Sequence, residues 1–409
     1  MSCISVENIK QGMVLSEDVR DINNRLLLSK DQKITQKHIR ILKIWGVTAI
    51  HVMSEGGIET KEEPDINPEV IEIVQDTTKN IFKNIDLDHP AMSEIFRLSV
   101  LHRSQNYQSI KVSDDKLIPG KIPVGEHRTD IRKQIEMQKL TLPEIPSIVN
   151  ELNEVTADPN ASANDISKIV VKSPSLTAIL LKIANSAFYS FPFKIDNISR
   201  AITLIGSKEI TGLALGISVM QVFKDIPQEF IDMNSFLKHS LACGIAARIL
   251  ASQRNMSQTE QMFAAGLLHD IGRLIIYKYF PDQAKNLFQI MTNSSQSLYH
   301  AENSYLRCRH PEIGKFLFKK WNLPKSLEDC VFYHHRPTNS HYPIEAGIVH
   351  IADIVVNGLG IGSSGERFIP LFDDGIWEKL KLIPTIFKSI IDQVTHQLSV
   401  FETLLMKEI

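Results

Sequence analysis

From Leu140 to Leu404 the apolar residues of this chain recur at helical spacing, and stretches with the alternation of a half-buried strand are scarce. A segment of that length and single period can bury its apolar stripes only by packing helix on helix, so it is expected to form an all-α bundle. The punctuation agrees. Ser162 followed by Asp165 has the form of a capping box ahead of Ile166, Ile169 and Val170. Ser173-Pro174 reads as a helix start with proline at the first position, and Leu176, Ile179, Leu180 and Ile183 form its stripe. Ile198, Ile202 and Ile205 form another stripe, closed by Gly206. Further helices are expected over 234–252, 258–279, 310–321, 326–334, 344–356 and 377–404.

The start of the chain reads differently. Met13-Val14-Leu15 and Leu26-Leu27-Leu28 are short apolar runs on either side of a polar turn at 21–24. Thr35 can cap a helix that carries Ile39, Leu42 and Trp45; Gly46 ends it, and 47–52 reads as a closing strand. An acidic stretch with glycine and proline follows at 54–65, then weak helical periodicity over 67–105 and a polar stretch over 106–130. The expected organisation is a small α+β module at 1–54, a linker with connecting helices at 55–135, and a mainly α, helical-bundle domain at 136–409.

The formal net charge of -2 and the dispersal of Lys and Arg give no electrostatic reason to expect nucleic acid or an anionic membrane as partner. Cys3, Cys243, Cys308 and Cys330 are far apart and form no CxxC, which suits free thiols in a reducing compartment. Cys308 stands two residues before His310, so it is open to a metal role or to the role of a small buried side chain. The first residues lack a basic start followed by an apolar run, and no window approaches the roughly 20 apolar residues of a span. A cytoplasmic protein is expected.

The residues that carry chemistry are His239, the pair His269-Asp270, His310, the pair His334-His335, and Asp353. Neutral imidazole and carboxylate suit divalent Zn, Fe, Mn or Ni, and four to seven such groups can hold one or two ions. Each member alone has a plainer reading. His239 fits the edge of a helical core, Asp353 fits a solvated face, and His269-Asp270 fits a hydrogen-bonded polar notch. Yet His269-Asp270 ends the small, apolar run 263–268, where an ionisable pair is costly to bury without partners. His334 and His335 point about 100° apart on a helix, so both reach one site only from a helix end or across two metals. His310 reads as a helix cap or an extra ligand, and Glu302 as a surface or packing residue.

His239, then Gly266-Leu267-Leu268-His269-Asp270-Ile271-Gly272, then Asp353 resembles the H…HD…D pattern of HD-superfamily metal-dependent phosphohydrolases. Within that superfamily the chain is similar to the HDOD (HD-related output domain) family of bacterial signalling proteins. Leu142-Pro143, the segment 182–186, the segment 201–206, Trp321-Asn322-Leu323-Pro324 and His334-His335 carry this likeness. Residues 4–53 also resemble the small domain that precedes HD-GYP phosphodiesterases. The resemblance implies a signalling protein that binds one or two divalent ions through His239, His269, Asp270, His310, His334, His335 and Asp353. It would act on a protein partner or a nucleotide ligand. The alternative is a phosphodiesterase acting on a cyclic dinucleotide or other nucleotide. In that reading Asp270 bridges two ions and Arg273 or Lys238 offsets phosphate charge. Arg273 stands where HD-GYP enzymes carry lysine, and their GYP segment is reduced to His341-Tyr342-Pro343. HDOD domains are, as a family, non-catalytic, so the retained ligand set leaves both readings open.

Overall fold

The computed structural model describes residues 2–5, 9–20, 26–35, 38–39, 42, 47, 49–53, 67–107, 130–136, 143–158, 161–185, 191, 193–223, 226, 231–294 and 296–405. The turn at 21–24, the helix end at 45–46 and the linker at 54–65 lie outside these residues, as does nearly all of the polar stretch. In the N-terminal segment, β1 (Ser2–Ser5) pairs antiparallel with β4 (Ala49–Val52), from Ser2 opposite Val52 to Ser5 opposite Ala49. β2 (Val19–Arg20) pairs with β3 (Leu26–Leu28). Leu15, Ile34, Leu42, Ile50 and Val52 close a small core of their own. Thr35 caps as its sequence suggests, its Oγ1 accepting the His38 N–H at 3.3 Å.

The rest is helical: α1 (Pro68–Ile81), α2 (Pro90–Gln105), α3 (Ile131–Glu136), α4 (Ser147–Ala157), α5 (Ala163–Val170), α6 (Pro174–Ala184), α7 (Ile198–Ile205) and α8 (Ser207–Gln221) come first. Then follow α9 (Met233–Gln253), α10 (Thr259–Leu268), α11 (Ile271–Tyr279), α12 (Pro281–Ser294), α13 (Leu298–Leu306) and α14 (His310–Lys320). The last are α15 (Lys325–Tyr333), α16 (Pro343–Leu359), α17 (Asp374–Leu380) and α18 (Ile386–Leu405). The architecture is thus mainly α with a small stranded segment at the start. The capping box at Ser162 and Asp165 is formed, and Gly206 ends α7 at φ 115°. Among the described residues no single helix is long and apolar enough to cross a membrane.

In the span expected as linker and connecting helices, α1 and α2 bury Val74, Met92, Ile95 and Leu98. Residues 82–98 contribute Phe82, Ala91, Met92, Ile95 and Leu98 to the same core as α9 and α16.

Two breaks differ from the sequence reading. The single helix expected over 258–279 is two, parted at His269-Asp270, which leaves the aspartate at φ -98°, ψ 12° outside regular helix. The helix expected over 377–404 is likewise two, parted at Lys381 with φ 48° and followed by Pro384, which cannot continue a helix.

α9 is the axis on which the site is built. A Cβ at Gly266 of α10 would lie 2.6 Å from the Cys243 carbonyl oxygen, so only glycine lets α10 press against α9 there. Gly272, at the start of α11, does the same against the backbone of His310. These two close approaches draw α9, α10, α11 and the start of α14 together around the His269-Asp270 break.

Candidate metal centre

The seven residues singled out in the sequence converge, in two adjoining groups. The inner group is His239 and Cys243 of α9, His269 at the end of α10, and Asp353 of α16. His239 Nε2 lies 3.3 Å and His269 Nε2 3.4 Å from Asp353 Oδ1. The outer group is Asp270, His310, His334 and His335. His310 Nε2 stands 2.9 Å from Asp270 Oδ1, 3.3 Å from His334 Nε2 and 3.2 Å from His335 Nε2. Asp270 joins the groups: Oδ1 faces His310, while Oδ2 is 3.4 Å from His269 Nε2. His334 is the residue that closes α15 and His335 follows it, so the pair straddles a helix end and both rings reach His310.

The far ring nitrogens fix the tautomers. His269 Nδ1 bonds to the Gly266 carbonyl at 2.7 Å, and His334 Nδ1 to the Val331 carbonyl at 2.7 Å. Each must therefore donate from Nδ1, so Nε2 is the nitrogen left to face a cation, whether a proton or a metal ion. His310 Nδ1 meets Glu302 Oε2 at 2.7 Å, and the same oxygen accepts the His310 backbone N–H. This is the carboxylate–histidine arrangement that orients metal ligands. His350, buried beneath, bonds through Nδ1 to the His334 carbonyl and accepts the Asp373 N–H on Nε2, which anchors the His334 turn.

Nitrogens and carboxylate oxygens turned to one another repel unless a cation, a proton or a metal ion, sits among them. His269 Nε2 and Asp270 Oδ1 are buried without an aligned hydrogen bond, although carboxylate oxygens lie 3.4 Å from the first and His310 Nε2 lies 2.9 Å from the second. Such close approach without alignment is what donors aimed at a shared central point would show. The residues present therefore fit a divalent ion in each group.

The electrostatics follow from this crowding. Burial opposes charge on His269, but Asp270 and Asp353 override it and raise its pKa to about 10. Burial would raise Asp270 and Asp353; Arg273 and the neighbouring histidines hold Asp270 well below the ordinary range, and His269 and His239 do so for Asp353. Burial, aided by adjacent histidines, keeps His334 and His335 neutral.

Two expectations are corrected. Glu302, expected at the surface or in a packing contact, is fully buried, because it orients His310. Arg273, expected to offset substrate charge, is 1% exposed behind the ligands, bonded to Ser364 Oγ at 2.9 Å and within 3.7 Å of Asp270, Glu302 and Glu366. Its charge balances those three carboxylates. Lys238 exerts its charge on His102 of α2. Cys308 is buried outside both groups, near Glu312. Sequence reading passed over Cys243; the signal available was its position four residues after His239, on the same helix face.

Only His335 of the eight donors is part-exposed. Tyr299 covers it at 4.3 Å between ring centroids, and the guanidinium of Arg309 lies 4.9 Å over Tyr299. Arg336, exposed, lies 5.9 Å from the same ring. A separate cavity of about 670 Å³ is lined by Asn153, Thr211, Gln258, Trp321, Asn322 and others, and by none of the eight donors. Anything held there does not touch the two donor groups.

A helical bundle that gathers histidine and aspartate in the order H…HD…D around two adjoining donor groups is similar to the HD class in fold. Residues 142–337 match the HDOD domain family, and this chain carries an HDOD domain over that span. Its fold is similar to that of an HDOD domain protein of unknown function from Geobacter sulfurreducens, with TM-score 0.58 and 19% identity over 68% of this chain and 98% of that one. It is also similar to "a Putative signal transduction protein" from Marinobacter aquaeolei VT8, with TM-score 0.54 and 19% identity over 81% of this chain and 68% of that one. An uncharacterized protein of Treponema pallidum (strain Nichols) is 21% identical over 221 residues, 54% of this chain and 42% of that protein. The match thus spans less than half the length of that relative.

Proposed function

We propose that this chain is a bacterial signal-transduction protein whose HDOD domain holds divalent metal and acts by binding a protein partner or a nucleotide. The observation that carries metal binding is the convergence of buried ring nitrogens and carboxylate oxygens in two groups, with His269 Nε2 and Asp270 Oδ1 making no aligned hydrogen bond. His239, His269 and Asp353 hold the inner ion, and His310, His334 and His335 the outer one, with Asp270 between them. Fe, Mn, Ni or Zn suits this donor set. Glu302 and Arg273 act as positioning residues, the first by fixing the His310 tautomer and the second by balancing the carboxylates. The likeness to the Marinobacter protein supports a signalling role. Arg309, Arg336 and Tyr299 beside His335 would receive an anionic or aromatic group of the ligand. Elemental mass spectrometry of the purified chain tests the reading: one or two equivalents of metal are expected, lost in a His269→Ala/Asp270→Ala variant. Absence of metal after anaerobic reconstitution with iron or manganese would overturn it.

A second reading, metal-dependent phosphodiester hydrolysis, is favoured by Asp270 presenting one oxygen to each donor group. A bound ion would supply an acidified water and neutralise phosphoryl oxygens. Turnover of cyclic dinucleotides or an aryl phosphodiester at enzyme-like rates, abolished in Asp270→Ala, would establish this reading over the first.

A further inference from the structure

The inner group contains a donor that the histidine–aspartate pattern does not account for. Cys243 is completely buried on α9, and its Sγ lies 3.6 Å from His239 Nε2. A thiol next to an imidazole has an ordinary explanation, a weak S–H···N hydrogen bond, and a lone cysteine makes no site. Two further observations point beyond that. His269 Nε2, fully buried, faces the same space without an aligned hydrogen bond, 3.4 Å from the Asp353 and Asp270 carboxylates. The spacings also fit one coordination sphere. A tetrahedral ion about 2.3 Å from sulfur and about 2.0–2.1 Å from nitrogen or oxygen separates its sulfur and nitrogen ligands by about 3.6 Å and its nitrogen and oxygen ligands by about 3.4 Å. The corresponding contacts here are 3.6 Å for Cys243–His239, and 3.3 and 3.4 Å for His239–Asp353 and His269–Asp353. All four donor atoms lie within 4.8 Å of one another.

We infer that Cys243 is a thiolate ligand of the inner ion, which makes the inner group a His–Cys–His–Asp site that takes zinc or ferrous iron in preference to manganese or magnesium. This rests on the metal-binding reading above. The chemistry is that of donor softness: thiolate favours Zn and Fe, while carboxylate and water suit Mn and Mg. The outer group offers no sulfur, so the two positions differ in kind. Ligation replaces the S–H bond by a metal–sulfur bond and releases the thiol proton to solvent, so uptake of the inner ion is accompanied by loss of one proton from Cys243.

The test uses the full chain, stripped of metal and loaded with cobalt(II), which reports sulfur ligation as a charge-transfer band in the near ultraviolet. Cobalt content is measured on the same samples by elemental mass spectrometry. The wild-type chain is expected to bind cobalt and show the band. Cys243→Ala is expected to lose the band, and Cys308→Ala to keep it, which excludes the nearby cysteine as its source. In competition, wild type is expected to prefer zinc to manganese at the inner position, and Cys243→Ser to lose much of that preference. Cobalt bound without the band, or a band that survives Cys243→Ala, would overturn the thiolate ligand while leaving metal binding intact. Failure of wild type to bind any cobalt would overturn both. Because the band in wild type is read without any substitution, a variant that fails to fold does not rescue the proposal.

Discussion

The inner and outer donor groups use nearly the same chemistry in opposite settings. The inner one hangs on the middle of α9 and α16 and on the end of α10, helices that form the centre of the bundle, and all four of its donors are buried. The outer one is built almost wholly at helix ends. Asp270 sits in the break before α11, His310 begins α14, and His334 and His335 follow α15, with His335 reaching the surface under Tyr299. Donors in mid-helix are fixed by the packing of the fold itself. Donors at helix ends depend on local hydrogen bonds, such as Glu302 to His310 and Val331 to His334. On the proposed reading, an ion in the inner position would be held permanently, and one in the outer position would meet ligands.

The contrast has consequences that can be broken in order of size. Asp353→Ala should be the most damaging, because it strips the buried His239 and His269 of their shared carboxylate; breaking such a pair costs about 3–5 kcal/mol. Denaturant unfolding checks it, and a loss no larger than that of an outer substitution would erase the contrast. Glu302→Gln keeps volume but weakens the carboxylate on His310, so outer metal affinity should fall about 10–100-fold while the inner ion stays, as read by competitive chelation.

His335→Ala should cost less stability than Asp353→Ala, since its ring is the one part-exposed donor, and yet lower the outer metal content. A fall in inner metal content with it would show the two groups to be one site. The smallest effect is expected far from both. The Asp165 carboxylate of the α5 capping box has its pKa lowered to about 2, chiefly by its hydrogen bond with Ser162. Its contribution is therefore present above the ordinary value of 3.8 and lost as pH falls through about 2. Asp165→Asn should flatten that acid limb in a pH series of melting curves and leave metal content unchanged.

Much of this was legible in the sequence, for identifiable reasons. Helical period and capping chemistry are local, so Ser162, Ser173 and Gly206 marked their boundaries correctly. The order His239, His269-Asp270, Asp353 pointed to the metal-type chemistry. Glu302 was hidden because its meaning lies in a contact with α14, and nothing local distinguishes a buried carboxylate from a surface one. Cys243 was hidden because thiols are among the most buried side chains, and α9 is apolar around it. The break at His269-Asp270 was missed because neither residue there is proline or glycine, and the flanking Gly266 and Gly272 serve close approaches to Cys243 and His310 that only the tertiary structure reveals. The packing of α1 and α2 on the bundle was equally invisible, since weak periodicity reveals a helix without its partner.

The most direct test of the account is anomalous X-ray scattering from crystals of the reconstituted chain, recorded at the absorption edge of the bound metal. The account predicts one peak among His239, Cys243, His269 and Asp353, and a second, weaker peak among Asp270, His310, His334 and His335. Crystals soaked in zinc or iron with no anomalous peak at either group would contradict it.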